Sequence, residues 1–137
     1  MSPEELARAW VQTFNDGDFG AGKELGAEDG YFGITAPGAG TSRDAGDQDA
    51  RMWKAAFPDA RGEITRLLVS GDTAAMEVVW TGTQTGDLPN LPATGKRVNI
   101  NAAVFVTERN GKISRLMQYF DFGGLLMQVG AMPAPGQ

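Results

Sequence analysis

Residues 118 to 124 read QYFDFGG and place a carboxylate where carboxylates are uncommon. Asp121 closes the apolar run ISRLMQYF and stands just before a glycine pair and the segment LLMQVG. Acids are poor strand formers and costly to bury unpaired. Two roles suit it. As a helix N-cap it would accept backbone N–H bonds from Gly123 or Gly124. As an acid at the mouth of a pocket it would move protons. The chain of 137 residues has no histidine and no cysteine. That removes disulfides, thiol nucleophiles, Ser-His and Cys-His pairs and nearly all zinc chemistry. Proton transfer is left to Asp, Glu, Tyr, Lys or water, and an aspartate, with an ordinary pKa near ~4, is ionised and ready as a base at neutral pH.

Strand alternation puts Met117, Tyr119 and Asp121 on one face and Leu116, Gln118 and Phe120 on the other. Asp121 is then expected beyond two large side chains that wall a cavity, in surroundings that raise its pKa by desolvation. Tyr31, Trp53, Trp80 and Tyr119 offer flat faces or polar tips suited to a flat apolar ligand, against the plainer reading of core packing. Asn101, Gln118 and Gln84 are candidate donors to a developing enolate oxygen. Asn99 and Asn101 share one face, however, which reads equally as solvent or a dimer interface. Asp16, Asp18, Asp44, Asp47, Asp49 and Asp87 fall in turns or on an exposed helix start, where acids are ordinary. GDQDAR lacks the oxygen spacing of a calcium loop, so no metal is expected. Lys54 and Lys112 read as exposed, which argues against a Schiff base. GAGKELG lacks the spacing of a phosphate loop.

The elements that must hold these groups follow from pattern. SPEE offers Ser2 as N-cap, Pro3 in the first turn and Glu5 closing a capping box, and Leu6, Trp10 and Phe14 recur at helical spacing up to the NDGD turn. A short helix is expected near Ala21 to Leu25, a short strand at Tyr31 to Ile34, and a helix from about Asp44 to Phe57 that turns Met52, Trp53, Ala56 and Phe57 inward before Pro58. ARGEITRLLV, TAAMEVVWTGTQT, RVNINAAVFVT and KISRLMQYF are β-rich runs, joined by SGD, by GDLPNLPATGK and by the hairpin signal Asn110-Gly111. FGGLLMQV closes the chain as a helical turn or two. Helices grouped before strands argue an α+β fold with helices on one face of a curved sheet. One domain over residues 1–130 is expected, with a disordered tail at 131–137.

The hydrophobic fraction of 42% and charged fraction of 21% are those of a soluble globular chain. A net charge of −5 with scattered basic residues speaks against nucleic acid. MSPEELARAW carries acids where a secretion signal needs basic then apolar residues, and no stretch is long enough for a membrane span. A cytoplasmic location and a small apolar partner are expected.

FNDGD, WKAAFPD, WTGTQTGDLPNLPATGKRV and NGKISRLMQYFDFGGLLMQVG together resemble the SnoaL-like polyketide cyclases of the nuclear-transport-factor-2-like superfamily, over roughly Leu6 to Gly130. That superfamily includes ketosteroid isomerase, scytalone dehydratase and limonene epoxide hydrolase. The resemblance implies a cone: a curved mixed, mainly antiparallel sheet wrapped around N-terminal helices with a deep apolar pocket. It also implies an intramolecular aldol ring closure without metal or organic cofactor, and a homodimer is expected. The family's acid/base aspartate, at the end of the last long strand, falls on Asp121. Many relatives carry a histidine or an acid near the position of Val104, which is apolar here. Two rival readings stand beside cyclisation. Water activation, as in an epoxide hydrolase, wants two carboxylates bridged by an arginine; only Arg115 lies near Asp121 on its strand face, and the one further acid in the last two strands, Glu108, is near a turn. Non-catalytic binding of an apolar ligand gains from the missing histidine.

Overall fold

In the computed structural model, which describes residues 1–133, 135 and 136, the elements run α1 (Pro3–Asp16), α2 (Phe19–Glu24), β1 (Gly26–Ile34), α3 (Arg43–Ala56), β2 (Arg61–Ser70), β3 (Thr73–Thr83), β4 (Arg97–Arg109), β5 (Lys112–Phe120) and α4 (Phe122–Gln128). Ala134 and Gln137, within the segment expected to be a disordered tail, lie outside the described residues.

Local chemistry sets these boundaries. Glu5 N–H donates to Ser2 Oγ at 3.1 Å and Ser2 N–H to Glu5 Oε1 at 2.9 Å, so the capping box is formed. Gly17 ends α1 at φ 68°, a left-handed geometry that a glycine reaches without strain. Asn110 and Gly111 both have positive φ, as the two-residue β4–β5 hairpin requires. α3 closes at Phe57, directly before Pro58, as expected.

The sheet is mixed and open, in the order β1-β5-β4-β3-β2. β2 to β5 form the expected antiparallel series, and β1 adds to β5 in parallel. β1 is longer than the Tyr31–Ile34 expectation, beginning at Gly26 with its register broken between Gly26 and Tyr31. Its glycines hide it from a propensity reading, because they suit a bulged strand packed closely against its neighbours. A Cβ at Gly30 would come within 2.7 Å of the Phe32 ring.

α1, α3 and α4 pack on one face of the sheet, and α2 packs against α1 and α3. Leu6, Ala7 and Val11 of α1 pack on Ala74, Met76, Val78, Val104, Val106, Ile113 and Leu116. Burying each larger aliphatic side chain contributes about 1.5–3 kcal/mol, so this contact docks α1 firmly. A second cluster joins Ala56 and Phe57 to Val98, Ile100, Leu125 and Val129, and Trp80 touches both clusters. Val104 is fully buried in the first cluster, so the apolar residue at this position is core. Asn15 ties the end of α1 to β2 through a two-way bond with Gly62: its Nδ2 donates to the Gly62 carbonyl at 2.9 Å, and Gly62 N–H donates to its Oδ1 at 2.7 Å. On the opposite sheet face Tyr31, Phe105 and Tyr119 are exposed.

Candidate active site

A cavity of about 180 Å³ lies between the inner sheet face and the helices. β3, β4 and β5 contribute Trp80, Ile100, Leu116, Gln118 and Phe120 to its wall. α3 contributes Gly46, Asp49, Ala50 and Trp53, which recur at the three- and four-residue steps of one helix face. Trp10, Trp53 and Trp80 all line it.

Strand parity works in the opposite sense to the expectation for Tyr119 and Met117. The Leu116, Gln118 and Phe120 face of β5 looks into the cavity, while Tyr119 stacks edge-on with Phe105 on the outer face. The inner face is the one that meets α1 and α3, and alternation alone does not say which face that is. Of the substrate-contact candidates, Trp53, Trp80 and Gln118 therefore come together, whereas Tyr31, Tyr119 and Asn101 do not line the cavity. Tyr31 lies under the Arg115 guanidinium, 5.4 Å from its ring centre. Gln84 is fully buried but structural: its Nε2 donates to the Leu91 and Pro92 carbonyls and its Oε1 accepts from Thr94, pinning the β3–β4 connection.

Asp121 is the N-cap of α4 and is exposed. Its Oδ1 accepts the Gly124 N–H at 2.8 Å, and it is not among the cavity-lining residues. A Cβ at Gly124 would lie 2.2 Å from its carboxylate, which explains the glycine there.

Asp18, Asp47 and Asp49 all line the cavity, but Asp18 caps α2 and Asp47 pairs with Arg51, which leaves Asp49, expected on an exposed helix start, as the cavity carboxylate in neither a cap nor an ion pair. It is half-buried, and desolvation pushes its carboxyl above the ordinary aspartate value. The nearby Trp53 indole N–H works in the opposite direction. That N–H is itself buried and makes no bond of hydrogen-bonding geometry, so Asp49 is its electrostatic neighbour, not a formed partner. The missed signal was Asp49, Trp53 and Phe57 at successive four-residue steps, which puts the acid on the aromatic face of α3.

Opposite, Gln118 is 8% exposed and its Oε1 accepts the Trp80 Nε1–H at 2.7 Å. An indole nitrogen can only donate, so this bond identifies the amide oxygen and leaves the NH₂ as the donor presented to the cavity. Lys54 is also less exposed than expected. Its Nζ donates to the Ala60 carbonyl at 2.6 Å and burial lowers its pKa, but it holds the end of α3 and does not line the cavity.

The solvent-facing wall comes from α2, which buries none of its residues, and from the start of α3. Lys23 pairs with Asp44 at 2.8 Å and Asp47 with Arg51 at 3.1 Å. Arg51 also lies over the Phe19 ring.

The sequence profile of the SnoaL-like polyketide cyclases matches residues 4–129. The chain belongs to that family. Among solved structures this cyclase-family chain is similar to IdmH from Streptomyces antibioticus, provisionally named a polyketide cyclase, at 23% identity and a TM-score of 0.83, covering 95% of this chain and 99% of that one. It is similar to TsrD from Streptomyces laurentii, at 21% identity and a TM-score of 0.82, covering 94% and 95%. A Catenulispora acidiphila protein with a ketosteroid isomerase-like fold, solved with trimethylamine, has 23% identity and a TM-score of 0.79, covering 95% of both chains. These likenesses show the fold. No curated protein matches. Among the described residues, no helix of this family member is long and apolar enough to cross a membrane.

Proposed function

We propose that the protein catalyses an aldol-type cyclisation of a small polyketide-like ketone in the cavity, with Asp49 as acid/base and Gln118 as enolate donor. One observation carries this reading: a desolvated carboxylate and an oriented, unengaged amide NH₂ line the same apolar cavity. Asp49 takes a proton from the carbon beside a carbonyl. The enolate oxygen that forms accepts a hydrogen bond from the Gln118 NH₂, a donor that needs no reorientation because Trp80 holds the amide. The enolate carbon then attacks a second carbonyl of the same molecule, forming the C–C bond. The new alkoxide recovers the proton from Asp49, so atoms and charge balance with no redox partner. Desolvation serves the first step, since a base with a raised pKa pulls a carbon-bound proton more strongly. The Asp121 carboxylate is engaged by Gly124 N–H, and this reading gives it the cap role. The same reading has two copies meeting through the outer sheet face, supported by exposed Tyr31, Phe105 and Tyr119.

Deuterium uptake at the methyl group of acetophenone, followed by NMR, tests the proton step. The native protein is expected to accelerate uptake over buffer, and Asp49→Asn to remove about 10²-fold or more of that acceleration. Equal rates for native protein and Asp49→Asn would discard Asp49 as the base.

A further inference from the structure

The charged groups on the solvent-facing wall of the cavity differ in how fully they are engaged. Lys23 and Asp47 are in ion pairs, and Asp18 caps α2 by accepting Ala21 N–H at 3.2 Å, with its side chain in solvent. Arg43 is the exception: among the described residues it takes part in no ion pair, and its single hydrogen bond runs from Nη1 to the Gly26 carbonyl at 3.2 Å. A guanidinium has five N–H donors in a fixed fork, so most of them remain free. The side chain is nonetheless held in place. A Cβ at Gly26 would come within 3.2 Å of Arg43 Cδ and 2.5 Å of the Phe32 ring, so a bare glycine leaves the room in which the arginine stem and the ring lie together. Both Arg43 and Phe32 line the cavity.

Size supplies the second constraint. A cavity of about 150 Å³ holds benzene. The 180 Å³ here therefore encloses a head of about one ring, and any longer ligand extends past the charged wall. We propose that the substrate is amphiphilic: a one-ring-sized ketone head enclosed against Trp53, Trp80 and Gln118, and a carboxylate-class anionic end seated on the free fork of Arg43. This rests on the cavity being the substrate site, as in the proposed cyclisation, and narrows the substrate class.

The test is a titration with β-benzoylpropionate and with its uncharged amide, read by the fluorescence of Trp10, Trp53 and Trp80. A charge-assisted bond to an oriented guanidinium predicts that the carboxylate binds at least about tenfold more tightly than the amide. Arg43→Gln is expected to shrink that preference to within about twofold while leaving amide affinity unchanged. If Arg43→Gln weakens the amide as well, Arg43→Lys decides: a preference that survives on the charge alone supports the assignment, and its loss overturns it. Equal affinities in the native protein, a preference retained in Arg43→Gln, or no binding of either compound to folded protein overturns it directly. Asp49→Asn should keep the carboxylate preference. No acceleration of exchange by the native protein, or exchange undiminished in Asp49→Asn, with the preference intact therefore fails the catalytic reading alone, and loss of the preference with exchange intact fails this one alone.

Discussion

The bond between Trp80 and Gln118 can be weighed by a double-mutant cycle. Trp80 Nε1–H meets Gln118 Oε1 at 2.7 Å in a part-buried setting, with Trp10 and Phe14 edge-on to the Trp80 ring at 5.9 and 5.1 Å. Gln118→Leu keeps the volume roughly constant but strands the indole N–H, at a cost of about 1–3 kcal/mol. Trp80→Phe strands the amide oxygen at similar cost and also loses ring area against Trp10 and Phe14. The double variant strands neither group, so its loss should be smaller than the sum of the single losses by about 2–3 kcal/mol. For a chain of 137 residues, an unfolding entropy of ~2.1 cal/mol/K per residue makes 1 kcal/mol worth about 3.5 °C in Tm. Scanning calorimetry of the four proteins should then show about 7 °C lost in Gln118→Leu and a cycle that fails to add by about 7–10 °C. Acetophenone exchange gives the functional arm. Gln118→Leu removes the enolate donor and should cost about 10²-fold, whereas Trp80→Phe only frees the amide to rotate and should cost less. Strictly additive stabilities would refute the bond. Exchange unaffected by Gln118→Leu would refute the amide as the donor.

Two further outcomes separate the carboxylates. Burial raises the Asp49 pKa in the folded state, so between the unfolded and folded values the native protein binds more protons than the unfolded chain. Stability therefore falls as pH rises through that window, and Asp49→Asn should melt higher than the native protein at neutral pH, with the gain shrinking as pH falls toward about 4. A pH-independent difference in Tm would contradict the desolvation argument. Asp121→Ala should cost about 1 kcal/mol through loss of the α4 cap, roughly 3 °C in Tm, with exchange and ligand binding retained. Lost exchange in a folded Asp121→Ala protein would return the acid/base role to Asp121.

What could be read before the fold was in view depended on whether the signal was local. Ser2 and Glu5 sit three residues apart and satisfy each other, so the start of α1 was visible, as was the Asn110-Gly111 hairpin with its two positive φ values. The inner face of β5 was not, because alternation divides Gln118 from Tyr119 without saying which side the helices cover. β1 was cut short because its glycines follow close packing against Phe32, a tertiary cause. At the site, Trp53 and Trp80 were legible as large flat side chains and Gln118 as a polar donor by its residue type, though not by its face of β5. Asp49 was not, because an acid in the first turns of a helix has an ordinary explanation in the helix dipole. Its helical spacing from Trp53 was the stronger clue, and it speaks only once the aromatic face of α3 is taken as a cavity wall.

The parallel pairing of β1 with β5 also governs when the cavity comes into being. Thr35, just past β1, exchanges two bonds with the backbone of Phe120: its Oγ1 accepts the Phe120 N–H at 3.0 Å and donates to the Phe120 carbonyl at 3.2 Å, across 85 positions of sequence. During synthesis α1, α2, β1 and α3 emerge first, yet the strand that carries Gln118 and Phe120 emerges after all of them. Closing a loop of that length is entropically slow and precedes the contacts that reward it. A nascent chain lacking β5 therefore leaves β1 unpaired and the aromatic face of α3 wet, and the reaction chamber becomes dry in the final stage of folding.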